Sequence, residues 1–438
     1  MSLSIDEQRT LLDFYYRSFA GDVALASGVD LSDSGLSQSE PLQIFDLTGQ
    51  PLFLDFEITT GSGHSVGVVR SSARGTELTM LDAILIGKRL FEPTAAKTAV
   101  LRKAAEDHPG ATLGEPVFVC YGYPGIGVLV SVRTADASLT VVYDAHSCFL
   151  VSCWAGNFTA AESGLLGDEP EGLPFYSYAA RLPESGDDSD IAKDWGRGIA
   201  LYETTVASHI DRGSVSVLAP TASSLLAPVH GSPLQPSVPI YKGLERGMLP
   251  LVQQPIISGS LLPIPLMGQE TPSYCAVATA QMILEYLGFG GFTQTEIAQA
   301  METGPQGTFN AGMIAGYKRL TGGRWTATLD ETPAFSEAVS IVNRSLPAKS
   351  AIPRHARVLR GWREYRYVDR RSGQVKFNQQ FLVINDPYPV GSGQFVLENV
   401  SKPIDRYYRN FLYVEPAPST PNPIPTPNPT PATPSSGP

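Results

Sequence analysis

Apolar positions first recur at helical spacing over residues 5–20, where Leu11, Leu12, Phe14, Tyr15 and Phe19 share one side of a helix behind an acidic first turn. Past a polar Asp/Ser/Gly stretch the period changes. Residues 41–58 hold two β-rich runs around Thr48-Gly49-Gln50, which predicts a hairpin, and residues 65–70 predict a further strand. The helical period returns over 93–107, and the β-rich runs 115–121, 126–133 and 139–143 follow at short spacing. Several strands with one or two helices against them predict an α+β domain built on an antiparallel sheet over residues 1–160.

From 161 to 261 the pattern dissolves into Gly, Pro, Ser and Asp. Only 194–210 has the spacing of a helix, and residues 213–265 contain fourteen prolines or glycines, so an extended connector is predicted, either bridging two domains or laid across a cleft. Regular patterning resumes over 262–414. Val277, Ala280, Met282, Ile283 and Leu284 recur at helical spacing behind Ser273, the predicted N-cap. Thr293 and Glu296 match a capping box for a second helix, and residues 311–320 suit a third. Two β-rich runs, 355–362 and 380–387, flank the turn-rich stretch 369–374 and are predicted to pair antiparallel. Residues 415–438 are mostly Pro, Thr, Asn and Ser, a composition that favours extended polyproline conformations and buries no core, so a disordered tail is predicted.

With 438 residues, 42% of them apolar, the chain is long enough for two or three domains with proper cores. The net charge of −11 is unevenly placed. Residues 1–261 carry 16 basic and 30 acidic side chains (−14), and residues 262–438 carry 16 and 13 (+3), which fits either an acidic domain resting on the second half or a plain surface bias. No basic stripe with interleaved aromatics appears, which argues against a nucleic-acid partner. Cys120, Cys148, Cys153 and Cys275 are too few for a disulfide scaffold; Cys148 and Cys153 could bridge only across a tight turn, and three buried thiols are the expected reading. The six histidines form no metal-ligand spacing with them, so neither metal nor other cofactor is expected. No run of 18 apolar residues and no basic-then-apolar leader is present, which predicts a cytoplasmic protein without membrane spans, unless it is exported by a route that needs no signal.

The chemistry concentrates on Cys275. In the first turn of a buried helix, unpaired backbone N–H groups and the positive end of the helix dipole stabilise a thiolate, which is the reactive form of cysteine. Gln269 lies six residues upstream, within reach of the sulfur, where its amide and the Cys275 N–H could share the charge of an oxyanion. A thiolate needs a base, and His355 is the one histidine after Cys275. Antiparallel pairing of the two late β-runs sets a side chain near the start of the first beside one near the end of the second, which brings Asp386 to His355, with Asn385 as the rival orienter. Asp144-Ala-His-Ser-Cys148 also places a nucleophile near a base, but a pleated strand holds such close neighbours apart, and a turn with a buried cysteine is the expected reading. Tyr274 and Trp362 flank the proposed site.

A Gln, five residues, then a Cys opening an apolar helix resembles the papain-like cysteine peptidases, most of all the bacteriocin-leader-peptidase-like branch. Gly361-Trp362 in the strand opened by His355, and Asp386-Pro387 closing the next, are similar to that branch as they stand. The resemblance implies a papain-like domain over 262–414, its nucleophile helix packed on an antiparallel sheet. It also implies catalytic Cys275, His355 and Asp386, with Gln269 at the oxyanion, acting on a peptide or protein substrate. The first 160 residues resemble, loosely, propeptide-like or PepSY-like modules, and so could inhibit or position the peptidase domain. Two other readings fit the same residues: thiol acyl transfer, as in transglutaminase-like proteins, and a catalytically inactive papain-like binding module.

Overall fold

The computed structural model describes residues 4–155 and 255–418, apart from 46–48, 50, 74–80, 88–90, 123–124, 305–306, 332, 353–354, 369–372 and 401–409. The expected connector helix at 194–210, the 48–50 turn apart from Gly49, the Cys153 side chain and the tail beyond 418 lie outside the described residues.

Helix α1 (Ile5–Ser27) begins at Ser4, whose hydroxyl and backbone N–H form a reciprocal capping box with Glu7, and it ends where Gly28 turns left-handed at φ 73°. It runs past the expected end at Ala20. Gly21-Asp22 interrupts the apolar stripe in the sequence, but Val23 and Ala26 resume it and are buried. The first half continues with β1 (Gly35–Leu36), β2 (Leu42–Phe45), β3 (Pro51–Thr59), β4 (Ser65–Ser72) and β5 (Ala83–Ile86). Then come α2 (Pro93–Asp107), β6 (Thr112–Leu113), β7 (Val117–Gly122), β8 (Gly125–Arg133), β9 (Ser138–Asp144) and β10 (Leu150–Ala155).

The second half opens with β11 (Pro255–Leu261), inside the stretch whose Pro/Gly content reads as connector. It pairs along β14 (His355–Val368), so backbone hydrogen bonding outweighs composition here. Three helices follow, α3 (Cys275–Tyr286), α4 (Gln294–Ala300) and α5 (Asn310–Leu320), and then β12 (Trp325–Asp330), α6 (Phe335–Asn343) and β13 (Ala348–Ile352). Beyond β14 lie β15 (Val375–Asp386), β16 (Gln394–Asn399) and β17 (Asn410–Pro416). The α4 capping box and the antiparallel β14–β15 pair agree with the sequence reading.

The result is a mixed α+β architecture, but the two sheets expected from the sequence are one. Among the described residues seventeen strands join a single sheet. In the first half β10, β9, β8, β7, β2, β3, β4 and β5 are successive neighbours, all antiparallel except the β2–β7 pair. At the seam β5 pairs antiparallel with β16, from Ile86 opposite Phe395 to Ala83 opposite Glu398. The sheet then continues through β15, β14, β13, β17 and β12. Ala83-Ile-Leu-Ile86 is short and lacks alternation because it is buried throughout, a central strand with neighbours on both edges.

Side-chain packing crosses the same seam. The ring of Phe19 on α1 lies 4.0 Å from that of Tyr365 and 5.4 Å from that of Phe381, both in the second half. Tyr365 donates its hydroxyl to Asp22, and Arg360 donates to the Ala26 carbonyl at the end of α1. One core therefore combines α1 and β3–β5 with Tyr365, Phe381, Val383, Phe395 and Leu397, and a second gathers α2, α3 and the other face of the sheet. No described helix is long and apolar enough to cross a membrane.

Candidate active site

Cys275 is the first residue of α3, after a turn closed by the Tyr274 N–H donating to the Thr271 carbonyl. The helix is buried nearly all round, from Ala276 to Ala280 and from Met282 to Leu284, so its start is rigidly placed. The N-cap is Tyr274, not Ser273, and no side chain caps the helix; the Ser273 hydroxyl instead pairs with that of Thr271. Leaving the cap unfilled frees the first amides for the sulfur. The N–H groups of Ala276 and Ala356 both act on the half-buried Cys275 thiol.

His355 opens β14 opposite Ile352 of β13, and the β14–β15 register, with Val358 opposite Asn385, carries Asp386 back to it. The His355 Nε2 is 2.7 Å from Asp386 Oδ1, with both side chains buried. The imidazole also hydrogen-bonds Cys275, and since Nε2 is committed to Asp386, the nitrogen facing the sulfur is Nδ1. Asn385 turns elsewhere. Its amide donates to the carbonyls of Ile264 and Pro265, 3.0 Å each, and pins the segment that leads to Gln269.

Burial is the largest influence on both titrating partners and opposes charge on each. For Cys275 it is outweighed by the hydrogen bond and charge of His355 and by the two amides, and the thiol falls below its ordinary value. For His355 the Asp386 charge and hydrogen bond, with Cys275 on the other side, overcome burial and raise it from 6.5 to about 9. The pair therefore favours thiolate and imidazolium.

Gln269 is buried beside the turn, with its N–H on the Pro387 carbonyl at 2.9 Å and its carbonyl accepting from Gly391 at 2.8 Å. This close approach needs Gly268, where a Cβ would stand 2.3 Å from the Ser392 nitrogen. The side-chain amide spends its two N–H bonds on the carbonyls of Thr271 (2.8 Å) and Pro272 (3.0 Å), which steadies the turn before Cys275. Trp362 packs edge-on to Phe335 and donates to Asn343, on the side of α6.

Sequence reasoning missed Lys349, which is buried on β13 and donates to Asn310 at the start of α5. Burial lowers its pKa to about 8, and the Cys275 charge acts in the opposite sense. A lysine inside Ala348-Lys-Ser-Ala-Ile352 was the available signal. The Asp144–Cys148 stretch is a turn: Asp144 Oδ1 accepts from the N–H groups of His146 (3.1 Å) and Ser147 (2.7 Å), and Cys148 is left-handed at φ 56°. Among the described residues no group of three or more His, Cys, Asp or Glu could hold a metal ion.

Residues 261–410, which include Gln269, Cys275, His355 and Asp386, match the family model described as Peptidase_C39 like family. This stretch is a C39-like cysteine peptidase domain. Among solved structures, the C39-like domain is similar to a double-glycine-motif protease from an AMS/PCAT transporter, crystallised with the leader peptide. The identity is 14%, the match covers 36% of this chain and 95% of that one, and the TM-score is 0.25. It is also similar to the peptidase domain of Streptococcus ComA, a bi-functional ABC transporter involved in a quorum-sensing pathway. Here the identity is 16%, the match covers 35% of this chain and 97% of that one, and the TM-score is 0.23. No curated protein sequence matches the chain.

Proposed function

We propose that the chain hydrolyses peptide bonds of a peptide or protein substrate through Cys275, His355 and Asp386. The observation that carries this reading is one buried imidazole bonded on one side to Asp386, at 2.7 Å, and on the other to Cys275. The Cys275 thiolate attacks the scissile carbonyl carbon, and the carbonyl oxygen becomes an oxyanion. The Cys275 N–H, first in its helix and outside the intrahelical ladder, donates to that oxygen, and Gln269 joins it by exchanging one of its turn carbonyls for the oxyanion. As the C–N bond breaks, the imidazolium gives its proton to the leaving amine and a thioester remains. Water then attacks the thioester while His355 takes its proton; the acid is released and the thiolate–imidazolium pair is restored. Asp386 holds the ring so that Nδ1 faces the sulfur throughout.

The test is Cys275→Ala in the full chain, assayed with a peptide library and by near-UV circular dichroism. Loss of hydrolysis by at least about 10³-fold with an unchanged spectrum is expected, the scale on which removal of a nucleophile acts. Full hydrolysis by the variant would end the reading.

A further inference from the structure

The loop that follows Asp386 is held from the other half of the molecule. Asp386 Oδ1, the oxygen that meets His355, also accepts the backbone N–H of Tyr388 at 2.9 Å. The Tyr388 side chain reaches across the seam and donates its hydroxyl to Asp144 Oδ2 at 2.8 Å. Asp144 closes β9 of the N-terminal half and is buried. Its other oxygen is fixed by the Ser147 hydroxyl and by the N–H groups of residues 146 and 147, so the carboxyl group cannot rotate without breaking its own turn. Tyr121 donates to the same Oδ2, also at 2.8 Å. Burial holds both phenols well above their usual range, so they remain donors. A rigid connection thus runs from a turn in the first half, through one side chain and one backbone amide, to the oxygen that orients the imidazole.

Resting on the triad reading above, we infer that Asp144 and Tyr388 are positioning residues for the active site, and that the N-terminal half completes the peptidase instead of inhibiting it. Neither residue touches the reacting atoms. Their action is on the direction of Asp386 Oδ1, and misplacement of a catalytic group by a fraction of an ångström is costly in rate.

The experiment measures hydrolysis and the pH dependence of Cys275 alkylation by iodoacetamide in full-length wild type, Tyr388→Phe, Asp144→Ala and a control, Tyr16→Phe. The control deletes a buried hydroxyl bond, to Ser34, within the half that carries Asp144 and with no bond to Asp144, Asp386 or Tyr388. The titrating groups facing His355 are Asp386 and Cys275, with Lys349 near the sulfur. Around Asp144 they are Tyr121, Tyr388 and Cys148. The expected result is a fall in kcat of about 10-fold with KM unchanged. In Tyr388→Phe and Asp144→Ala the alkaline limb of hydrolysis moves to lower pH and the acid limb of alkylation to higher pH, and in Tyr16→Phe both stay in place. Non-additive effects in the Asp144→Ala, Tyr388→Phe double variant would place the two on one path.

Unchanged kcat and pH limb in Tyr388→Phe would overturn the inference. So would its failure to fold where Tyr16→Phe folds, since the bond would then be purely structural, and so would higher activity in Asp144→Ala, which is the signature of a released inhibitor. If instead His355→Ala left wild-type labelling rates intact, the triad reading itself would fall, and the two failures are told apart by that variant.

Discussion

At the scale of single residues, the proposed mechanism makes the pair of Cys275 and His355 set the working pH. Catalysis needs the thiolate and the imidazolium together, so activity rises as Cys275 ionises below its ordinary pKa and falls as His355 loses its proton near pH 9. The same shift is a stability statement. The folded-state pKa of His355 is raised, so its contribution is complete below the unfolded value of 6.5 and disappears as pH rises through about 9. Chemical denaturation of wild type and His355→Ala at pH 6 and pH 10 measures it. The difference in stability between the two proteins should be larger at pH 6, and equal differences would refute the assignment of the shift to folding. That Cys275, His355 and Asp386 meet was legible because each carries scarce chemistry: one late histidine, one cysteine at a helix start, one Asp-Pro after a β-run. The sequence favours Asp386 with Asn385 as its rival, and the register separates them, because adjacent strand residues point to opposite faces. Lys349, Tyr388 and Asp144 were illegible for a different reason. Their partners lie 39, 244 and 244 positions away, and only Lys349 is marked locally, by its apolar neighbours Ala348, Ala351 and Ile352.

At the scale of elements, α1 shows how packing overrides local pattern. Its sequence loses the apolar stripe at Gly21-Asp22, yet the helix extends to Ser27 because Val23 and Ala26 find buried neighbours and Asp22 accepts a hydroxyl from Tyr365. Phe19→Ala would open a cavity against Tyr365 and Phe381, with an expected loss of about 3–5 kcal/mol in a urea titration. A loss below about 1 kcal/mol would mean that α1 is not seated on the peptidase sheet. The α3 start teaches the complementary point. Ser273 has the right chemistry for an N-cap, but the turn places Tyr274 there, and the resulting open helix end serves the sulfur. Strands β5, β13 and β16 escaped the sequence reading because short strands buried along all or nearly all their length lack the alternation that marks a half-buried one.

At the scale of the whole molecule, the charge asymmetry and the Pro/Gly-rich middle suggested two separable parts, and the helices and hairpins within each part were mostly readable. Their union was not, since strand pairing between Ala83–Ile86 and Gln394–Asn399 spans most of the chain. Excising residues 255–418 would bare β16 as an edge and strip the cover from Tyr365, Phe381, Val383, Phe395 and Leu397. That fragment is expected to lack near-UV circular dichroism and to aggregate. A folded, active fragment would show that the seam is dispensable.

The seam also fixes what can be exchanged between this protein and its relatives. Sliding β5 by one residue along β16 would turn Ile84 and Ile86 to the opposite face and shift the wall on which Asp386 stands. A peptidase domain transplanted from another chain must therefore present an edge in the same phase as Ala83–Ile86. In this chain the third that carries the cysteine and the half before it share one strand phase, so the two vary together or the sheet between them breaks.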